Sequence, residues 1–232
     1  MDERLVVAHR GASGSAPENT LVAHQLAYEV GAHMVETDVH TTKDGILVCL
    51  HDYEVDHTTN GTGAIAELSF REIRNLDAGN GAKVPTLDEV LDFVRGKMKI
   101  NIELKITDIE KEVLSAVRER DMVSDVMISS FLHGTLVSVR TLDDRISTAV
   151  LETKLRNEVV SYVIELEANA LNPNYEYITP DIVTEAQSRG IQVFPWTVND
   201  STQMRTLYEM GVNGIITDFP EVALSILNKI QN

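Results

Sequence analysis

The chain has 232 residues, 43% of them hydrophobic, and its 20 Lys and Arg against 36 Asp and Glu give a formal net charge of -16. This length, without any Pro/Gly/Ser-rich linker, favours a single domain over residues 1–232. The acidic excess repels phosphate backbones and anionic membrane surfaces, so it argues against nucleic-acid binding through a basic face.

The sequence lacks the signals expected for export or membrane insertion. The N-terminus is charged with an acidic excess and leads into only a short apolar stretch, unlike the basic region and long apolar core of a signal peptide. No apolar run approaches the roughly 20 residues that span a bilayer. The single cysteine, Cys49, lies in an apolar run and cannot form an internal disulfide, which fits an inert thiol in a reducing compartment. We therefore expect a soluble cytoplasmic protein without stable membrane insertion.

Short apolar runs alternate along the chain with segments of helical period. The first unit is a strand at 5–8, a loop, and a helix that opens at Asn19 or Thr20 and ends at Gly31. Further barrel strands are predicted at 34–39, 99–104, 125–130, 146–151, 168–171, 191–196 and 214–217. Helices are predicted, among others, at 109–120, 180–189, 201–210 and 220–230. About eight strands in this alternation predict a TIM-type (β/α)8 barrel, with a doubly wound sheet as the alternative.

An additional short strand at 46–50 follows the second strand too closely for a helix to intervene. The dipeptide Asp44-Gly45, flanked by apolar residues, is a strong hairpin signal. With a two-residue turn, Asp38 would face His51 across this hairpin. We therefore expect a small hairpin and loop insertion after the second strand, which brings these two polar residues together.

Carboxylates occupy alternate positions on two of the predicted strands. Glu36 and Asp38 lie two residues apart, so their side chains share one face, where like charges repel unless a cation or a proton lies between them. Asn101, Glu103 and Lys105 likewise share a face of the next barrel strand. Three carboxylates from two strands suit Mg²⁺ or Ca²⁺, with Mn²⁺ as a further candidate, and no Cys/His spacing of a zinc site is present. The alternative is a barrel lined by ion pairs, such as Glu103 with Lys105, and no metal.

Two histidines and the single tryptophan also lie at the ends of apolar runs. His9 and His51 are each as readily explained as structural residues, but beside the acids they indicate acid-base chemistry. His40 lies on the face of the acidic pair and is a candidate supporting residue. Trp196 is either a packing residue or the wall of a ligand pocket.

A series of short motifs follows in a specific order along nearly the whole chain. The motifs are His9-Arg10-Gly11, Pro17-Glu18-Asn19-Thr20, Glu36-Thr37-Asp38-Val39, Thr42-Lys43-Asp44-Gly45, His51-Asp52, Glu103-Leu104-Lys105, Pro195-Trp196-Thr197-Val198-Asn199 and Thr217-Asp218-Phe219-Pro220. Each motif is weak alone, but the ordered set resembles the glycerophosphodiester phosphodiesterase family. One departure is the segment 56–59, where the family often carries Arg before Thr-Thr.

The resemblance implies a TIM-type barrel that uses a divalent metal to hydrolyse glycerophosphodiesters to sn-glycerol 3-phosphate and an alcohol. It implies His9 and His51 as the acid-base pair, Glu36, Asp38 and Glu103 as metal ligands, Arg10 and Lys105 as phosphate contacts, and Trp196 as a contact to the glycerol. The alternatives are a related barrel phosphodiesterase acting on lysophospholipids and a catalytically silent ligand-binding barrel. The sequence leaves open the preferred alcohol, the metal, the formation of a cyclic phosphate and the oligomeric state.

Overall fold

The strands of the chain form a parallel sheet with one antiparallel addition. A computed structural model describes residues 4–231, so residues 1–3 and 232 of the predicted domain lie outside the described residues. The strands are β1 (Leu5–Ala8), β2 (Met34–Thr41), β3 (Leu47–Cys49), β4 (Lys99–Leu104), β5 (Val126–Ser130), β6 (Ser147–Glu152), β7 (Ala170–Pro173), β8 (Gln192–Val193) and β9 (Gly214–Thr217). β3 pairs antiparallel with β2, whereas the other pairs are parallel.

The parallel strands close on themselves into a barrel. Their order is β8-β7-β6-β5-β4-β2-β1-β9. The barrel closes where β8 and the residues that follow it lie beside β9. Asn213 N donates to Val193 O at 3.1 Å, and Ile216 N donates to Pro195 O at 2.9 Å. The predicted TIM-type (β/α)8 barrel is therefore confirmed for residues 4–231, and the doubly wound alternative is wrong.

Helices cover the outside of the barrel. They are α1 (Leu21–Val30), α2 (Phe70–Asn75), α3 (Leu87–Val94), α4 (Glu110–Glu119), α5 (His133–Leu142), α6 (Val159–Glu165), α7 (Pro180–Ser188), α8 (Ser201–Met210) and α9 (Pro220–Gln231). α1 has the predicted limits, because the Thr20 side chain accepts from Ala23 N and Gly31 ends the helix in the left-handed conformation. Within residues 4–231, none of these helices combines the length and the apolar composition needed to cross a bilayer.

The inside of the barrel changes from apolar to polar along the strands. Val7, Met34 and Phe194 belong to an apolar cluster inside the barrel. Because side chains alternate along a strand, Glu36 and Asp38 follow Met34 on the inward face of β2, towards the carboxyl end. The apolar cluster thus packs beneath Glu36 and Asp38, on the side of the amino ends of the strands.

The hairpin between β2 and β3 forms, but its predicted register is wrong by one residue. The loop has three residues, 43–45, and Gly45 closes it in the left-handed conformation with a φ of 82°. A three-residue loop with glycine at this position shifts the pairing relative to a two-residue turn. Leu50 N consequently donates to Asp38 O at 3.1 Å, so Asp38 does not face His51 across the ladder.

The insertion after β2 is larger than a hairpin and a loop. It contains a short 3-10 helix at Ile65–Glu67 and the helix α2, which begins at a capping box formed by Ser69 and Glu72. The insertion has its own buried apolar cluster, formed by Val48, Leu50, Val55, Ile65, Ile73, Ala78 and Val84. This cluster fixes the chain that follows β3, which carries His51.

His24 makes the stability of the barrel dependent on pH. It lies on α1 with 0% of its surface exposed, and neither ring nitrogen has a hydrogen-bond partner among residues 4–231. Burial lowers the pKa of His24 from 6.5 to about 4. Between these values the unfolded chain binds a proton that the native state does not, so the contribution of His24 to the free energy of unfolding falls by about 1.4 kcal/mol per pH unit on acidification.

Between pH 7 and pH 5 we therefore expect the unfolding free energy of wild type to fall by about 2 kcal/mol more than that of the His24→Leu variant. Urea denaturation at both pH values measures the difference. His57→Gln, which changes an exposed histidine, is the matched control and should lose as much as wild type. Equal losses in the His24 variant and in wild type would contradict this prediction.

Candidate active site

The carboxyl ends of the barrel strands surround a cavity of about 170 Å³, which both polar and apolar side chains line. Active sites of TIM barrels lie at this end, where each strand passes into its loop. His9 follows β1, Glu103 lies on β4, and Trp196 follows β8. The cavity is lined by His9, Arg10, Glu36, His51, Asn101, Glu103, Phe131, Leu151, Trp196, Thr197 and Ile216.

Three buried carboxylates converge beside this cavity. Glu36, Asp38 and Glu103 each offer one carboxylate oxygen, and these atoms lie within 4.8 Å of one another. The sheet register causes the convergence, because Asp38 of β2 lies directly opposite Glu103 of β4. The predicted grouping of these acids is present in the structure, and a cluster of this kind can hold a metal ion.

The electrostatics of the cluster leave negative charge uncompensated. Burial, then the charges of Asp38 and Glu103, raise the pKa of Glu36 well above its ordinary value. Burial and Asp38 also raise the pKa of Glu103. Burial would raise the pKa of Asp38 as well, but Lys105 and Arg10 outweigh it and hold that pKa below its ordinary value. A bound cation would relieve the repulsion that remains at the other two acids.

Arg10 and Lys105 form ion pairs of the kind that the alternative without metal requires, but a buried oxygen of Glu36 remains without a partner among the described residues. Lys105 Nζ lies 2.7 Å from Glu103 Oε1 and 3.4 Å from Asp38 Oδ1, and Arg10 Nε lies 3.3 Å from Asp38 Oδ2. The backbone of Arg10, at a φ of 55°, donates from N to Glu36 Oε2 at 2.8 Å. Glu36 Oε1 is buried and has no hydrogen-bond partner in the described part of the chain. The ion pairs therefore do not satisfy the whole cluster.

Each of the two predicted histidines has a carboxylate partner. His9 Nδ1 lies 2.6 Å from Asp218 Oδ1, and His51 Nδ1 lies 2.6 Å from Asp52 Oδ1. Because a carboxylate only accepts, Nδ1 carries the proton in both rings and Nε2 is left for the cavity that both rings line. Burial would raise the pKa of Asp218, but the hydrogen bonds from His9 and Asn199 lower it, so this carboxylate stays ionised.

His51 is held in place by His40 of β2 and, through it, by Tyr53 of the insertion. His40 Nε2 lies 3.1 Å from the His51 carbonyl oxygen, so His40 positions the backbone of His51, in line with the expected role of His40. The His40 ring packs edge-on against Tyr53 at 5.1 Å, and the Tyr53 hydroxyl donates to Lys105 O at 3.0 Å. Burial lowers the pKa of His51, and the charges of Arg10 and Lys105 add to this effect.

Trp196 forms the apolar wall of the cavity together with Phe131. Their rings pack edge-on with centroids 5.5 Å apart. The indole N–H of Trp196 donates to Asn172 O at 2.8 Å, which fixes the ring against the barrel.

Lys105 does not line this cavity. It lines an adjoining groove of about 400 Å³ together with His51.

The sequence interpretation assigned no role in the site to several residues that the structure places there. Asn19 donates from Nδ2 to Asp38 Oδ2 at 2.8 Å, and its Oδ1 accepts from Thr37. Asp218 was named only within the motif Thr217-Asp218-Phe219-Pro220, and Phe131 was missed, although each directly follows a strand in the printed sequence. Position at a strand end was therefore an available signal for both, whereas Asn19 lies in a loop and was marked only by the motif Pro17-Glu18-Asn19-Thr20.

The sequence matches the glycerophosphoryl diester phosphodiesterase family over residues 9–222. That span includes every residue that lines the cavity. The chain belongs to this family. The predicted enzyme class, a glycerophosphodiester phosphodiesterase, is confirmed by this match and by the relatives of the chain.

Members of the glycerophosphoryl diester phosphodiesterase family match this chain over nearly their whole length. A glycerophosphodiester phosphodiesterase of Caldanaerobacter subterraneus subsp. tengcongensis is 38% identical, over 97% of this chain and 98% of its own. One from Bacillus altitudinis is 33% identical, over 97% and 99%. Among solved structures, an Oleispira antarctica phosphodiesterase in complex with the product sn-glycerol-3-phosphate is 29% identical, with a TM-score of 0.91 over 97% of both chains.

Proposed function

We propose that this protein is a single catalytic domain that hydrolyses glycerophosphodiesters to sn-glycerol 3-phosphate and an alcohol with a divalent cation. The observation that carries the proposal is the convergence of His9, His51, Glu36 and Glu103 in one cavity. A binding protein has no need of two histidines that are both oriented by carboxylates beside an acidic cluster. The Oleispira relative with bound sn-glycerol-3-phosphate supports the same substrate class.

The residues present fit a hard divalent cation. Glu36, Asp38 and Glu103 would hold it, since they supply carboxylate oxygens within 4.8 Å of one another, and Glu36 Oε1 has no other partner in residues 4–231. When bound, Mg²⁺, Ca²⁺ or Mn²⁺ supplies positive charge to the non-bridging phosphate oxygens. This charge also reverses the local field of a chain with a net charge of -16, which would otherwise repel an anionic substrate.

The chain's own groups perform the proton transfers and bind the phosphate. One of His9 and His51 takes a proton from the nucleophile through Nε2, and the other donates one to the leaving alkoxide. Arg10 and Lys105 are the cations nearest the acids, and they are placed to bind the phosphate. Trp196 would pack against the glycerol carbons. The nucleophile is water or the glycerol 2-hydroxyl, and only the latter gives a cyclic phosphate first.

The groove beside His51 would take the alcohol. It measures about 400 Å³ and is lined by His51, Asp52, Tyr53, Glu54, Asp56, His57 and Lys105. An open groove of this size discriminates weakly between alcohols. Its acidic lining favours neutral or cationic alcohols over anionic ones.

Lysophospholipids are a second candidate substrate class. Phe131, which lines the cavity, exposes 41% of its surface, and Leu132, the next residue along the chain, exposes 38%, although both are large apolar residues. An acyl chain attached to the glycerol would cover such residues, which favours this candidate.

The test is release of glycerol 3-phosphate by the purified protein from glycerophosphocholine, glycerophosphoethanolamine and, after deacylation of the product, lysophosphatidylcholine. Each substrate is assayed with Mg²⁺, Ca²⁺ and Mn²⁺ and in excess EDTA. We expect turnover of the two water-soluble diesters that depends on the cation. Full activity in EDTA would contradict the metal role, and no release from any substrate would favour the silent barrel.

A further inference from the structure

Asn101 is a buried polar residue that the proposed reaction leaves without a role. It lies on β4 directly opposite Glu36 of β2 and two residues before Glu103, so it faces inward beside both acids. It lines the same cavity as these acids, and only 2% of its surface is exposed. Its amide oxygen, Oδ1, is buried and has no hydrogen-bond partner in the part of the chain that the structure describes.

Two buried acceptors therefore lie in this cavity without a donor, Asn101 Oδ1 and Glu36 Oε1. While Glu36 is ionised neither can satisfy the other, because an amide oxygen and a carboxylate oxygen both accept. A buried acceptor without a partner costs about 1–3 kcal/mol, so a pair of them in one cavity indicates a bound group that is positive to both. A cation with oxygen ligands fits this requirement.

The three carboxylates alone offer few free oxygens to such a cation. Asp38 Oδ2 accepts from Asn19 and lies 3.3 Å from Arg10 Nε, and Asp38 Oδ1 lies 3.4 Å from Lys105 Nζ. Glu103 Oε1 is held by Lys105 at 2.7 Å. Mg²⁺ and Ca²⁺ bind about six to eight oxygens, and asparagine carbonyls are among the ligands that they accept.

We propose that Asn101 Oδ1 is a fourth protein oxygen of the metal centre, coordinated directly to the cation that Glu36, Asp38 and Glu103 hold. The proposal rests on the metal role proposed above. A neutral ligand adds an oxygen to the shell without adding to the repulsion among three buried acids.

Asn172 provides a matched control on the same barrel. It lies on β7, it is 1% exposed, and its Oδ1 also lacks a hydrogen-bond partner among residues 4–231. It does not line the cavity of the acids. Asn172→Ala therefore removes a buried amide of the same kind without removing a ligand.

The experiment measures metal binding by the intact protein, without substrate. Calorimetry gives the Kd for Ca²⁺, and the luminescence lifetimes of bound Tb³⁺ in H₂O and D₂O count the waters on the ion. Asn101→Ala is expected to weaken Ca²⁺ binding by about 10-fold or more and to add about one water to Tb³⁺, because water replaces the lost ligand. Asn172→Ala should change neither quantity.

Asn101→Asp is the second variant, which keeps an oxygen in the same place. It should leave the Tb³⁺ water count unchanged and lower the Kd for Ca²⁺. A Kd of Asn101→Ala within twofold of wild type, or an unchanged water count in that variant, would overturn the proposal. So would an Asp variant that loses a water or fails to bind more tightly. If wild type binds neither ion, the metal role of the proposed function falls as well.

Discussion

Alanine in place of His9 or His51 is expected to lower kcat by about 10²- to 10⁴-fold, the range that general acid-base groups contribute. Each ring is oriented through Nδ1 by a carboxylate at 2.6 Å and lines the cavity beside the acids. Neither side chain is deeply buried in the apolar core, so the variants should fold. Steady-state kinetics on glycerophosphocholine at neutral pH measures the effect.

Two controls separate chemistry from structure in these variants. His57→Ala removes an exposed histidine of the insertion and should keep the kcat of wild type. Added imidazole should restore part of the activity to the His9 and His51 variants, because it replaces the missing base in the vacated space. A folded variant with near-wild-type kcat would make that histidine a structural residue.

The barrel was predictable because its strands are short apolar runs in regular alternation with helices. The limits of individual strands were less predictable. The predicted strand at 168–171 is found at Ala170–Pro173, since the pairing with β6 and not the local composition sets its position. The predicted strand at 191–196 pairs regularly only at Gln192–Val193. The hairpin register failed because Asp-Gly fits loops of two residues and of three.

The site was predictable where one strand carries its residues. Glu36 and Asp38 share a face by alternation alone, and sheet register adds Glu103. Contacts made by loops were not predictable, because no local pattern connects residues far apart in sequence. Asp218 reaches His9 across a separation of 209 residues. Such pairs follow from barrel closure, which places β1 beside β9.

Glu103→Gln is expected to weaken Mg²⁺ binding by about 10- to 100-fold and to lower turnover at fixed, low Mg²⁺ by at least as much. The substitution removes one charge and keeps the shape of the side chain. The glutamine amide oxygen can still accept from Lys105, which lies 2.7 Å from Glu103 Oε1 in wild type. The barrel should therefore fold, and calorimetry with Mg²⁺ measures the loss of affinity directly.

The metal-free Glu103→Gln protein should melt no lower than metal-free wild type, because burial and the charge of Asp38 already raise the pKa of Glu103 and so disfavour its ionised form. Added Mg²⁺ should raise the Tm of wild type and leave that of the variant nearly unchanged. Glu110→Gln, which alters a buried acid at the start of α4, away from the cavity, should respond to Mg²⁺ as wild type does. An equal rise in Tm for Glu103→Gln and wild type would show that Glu103 does not bind the cation.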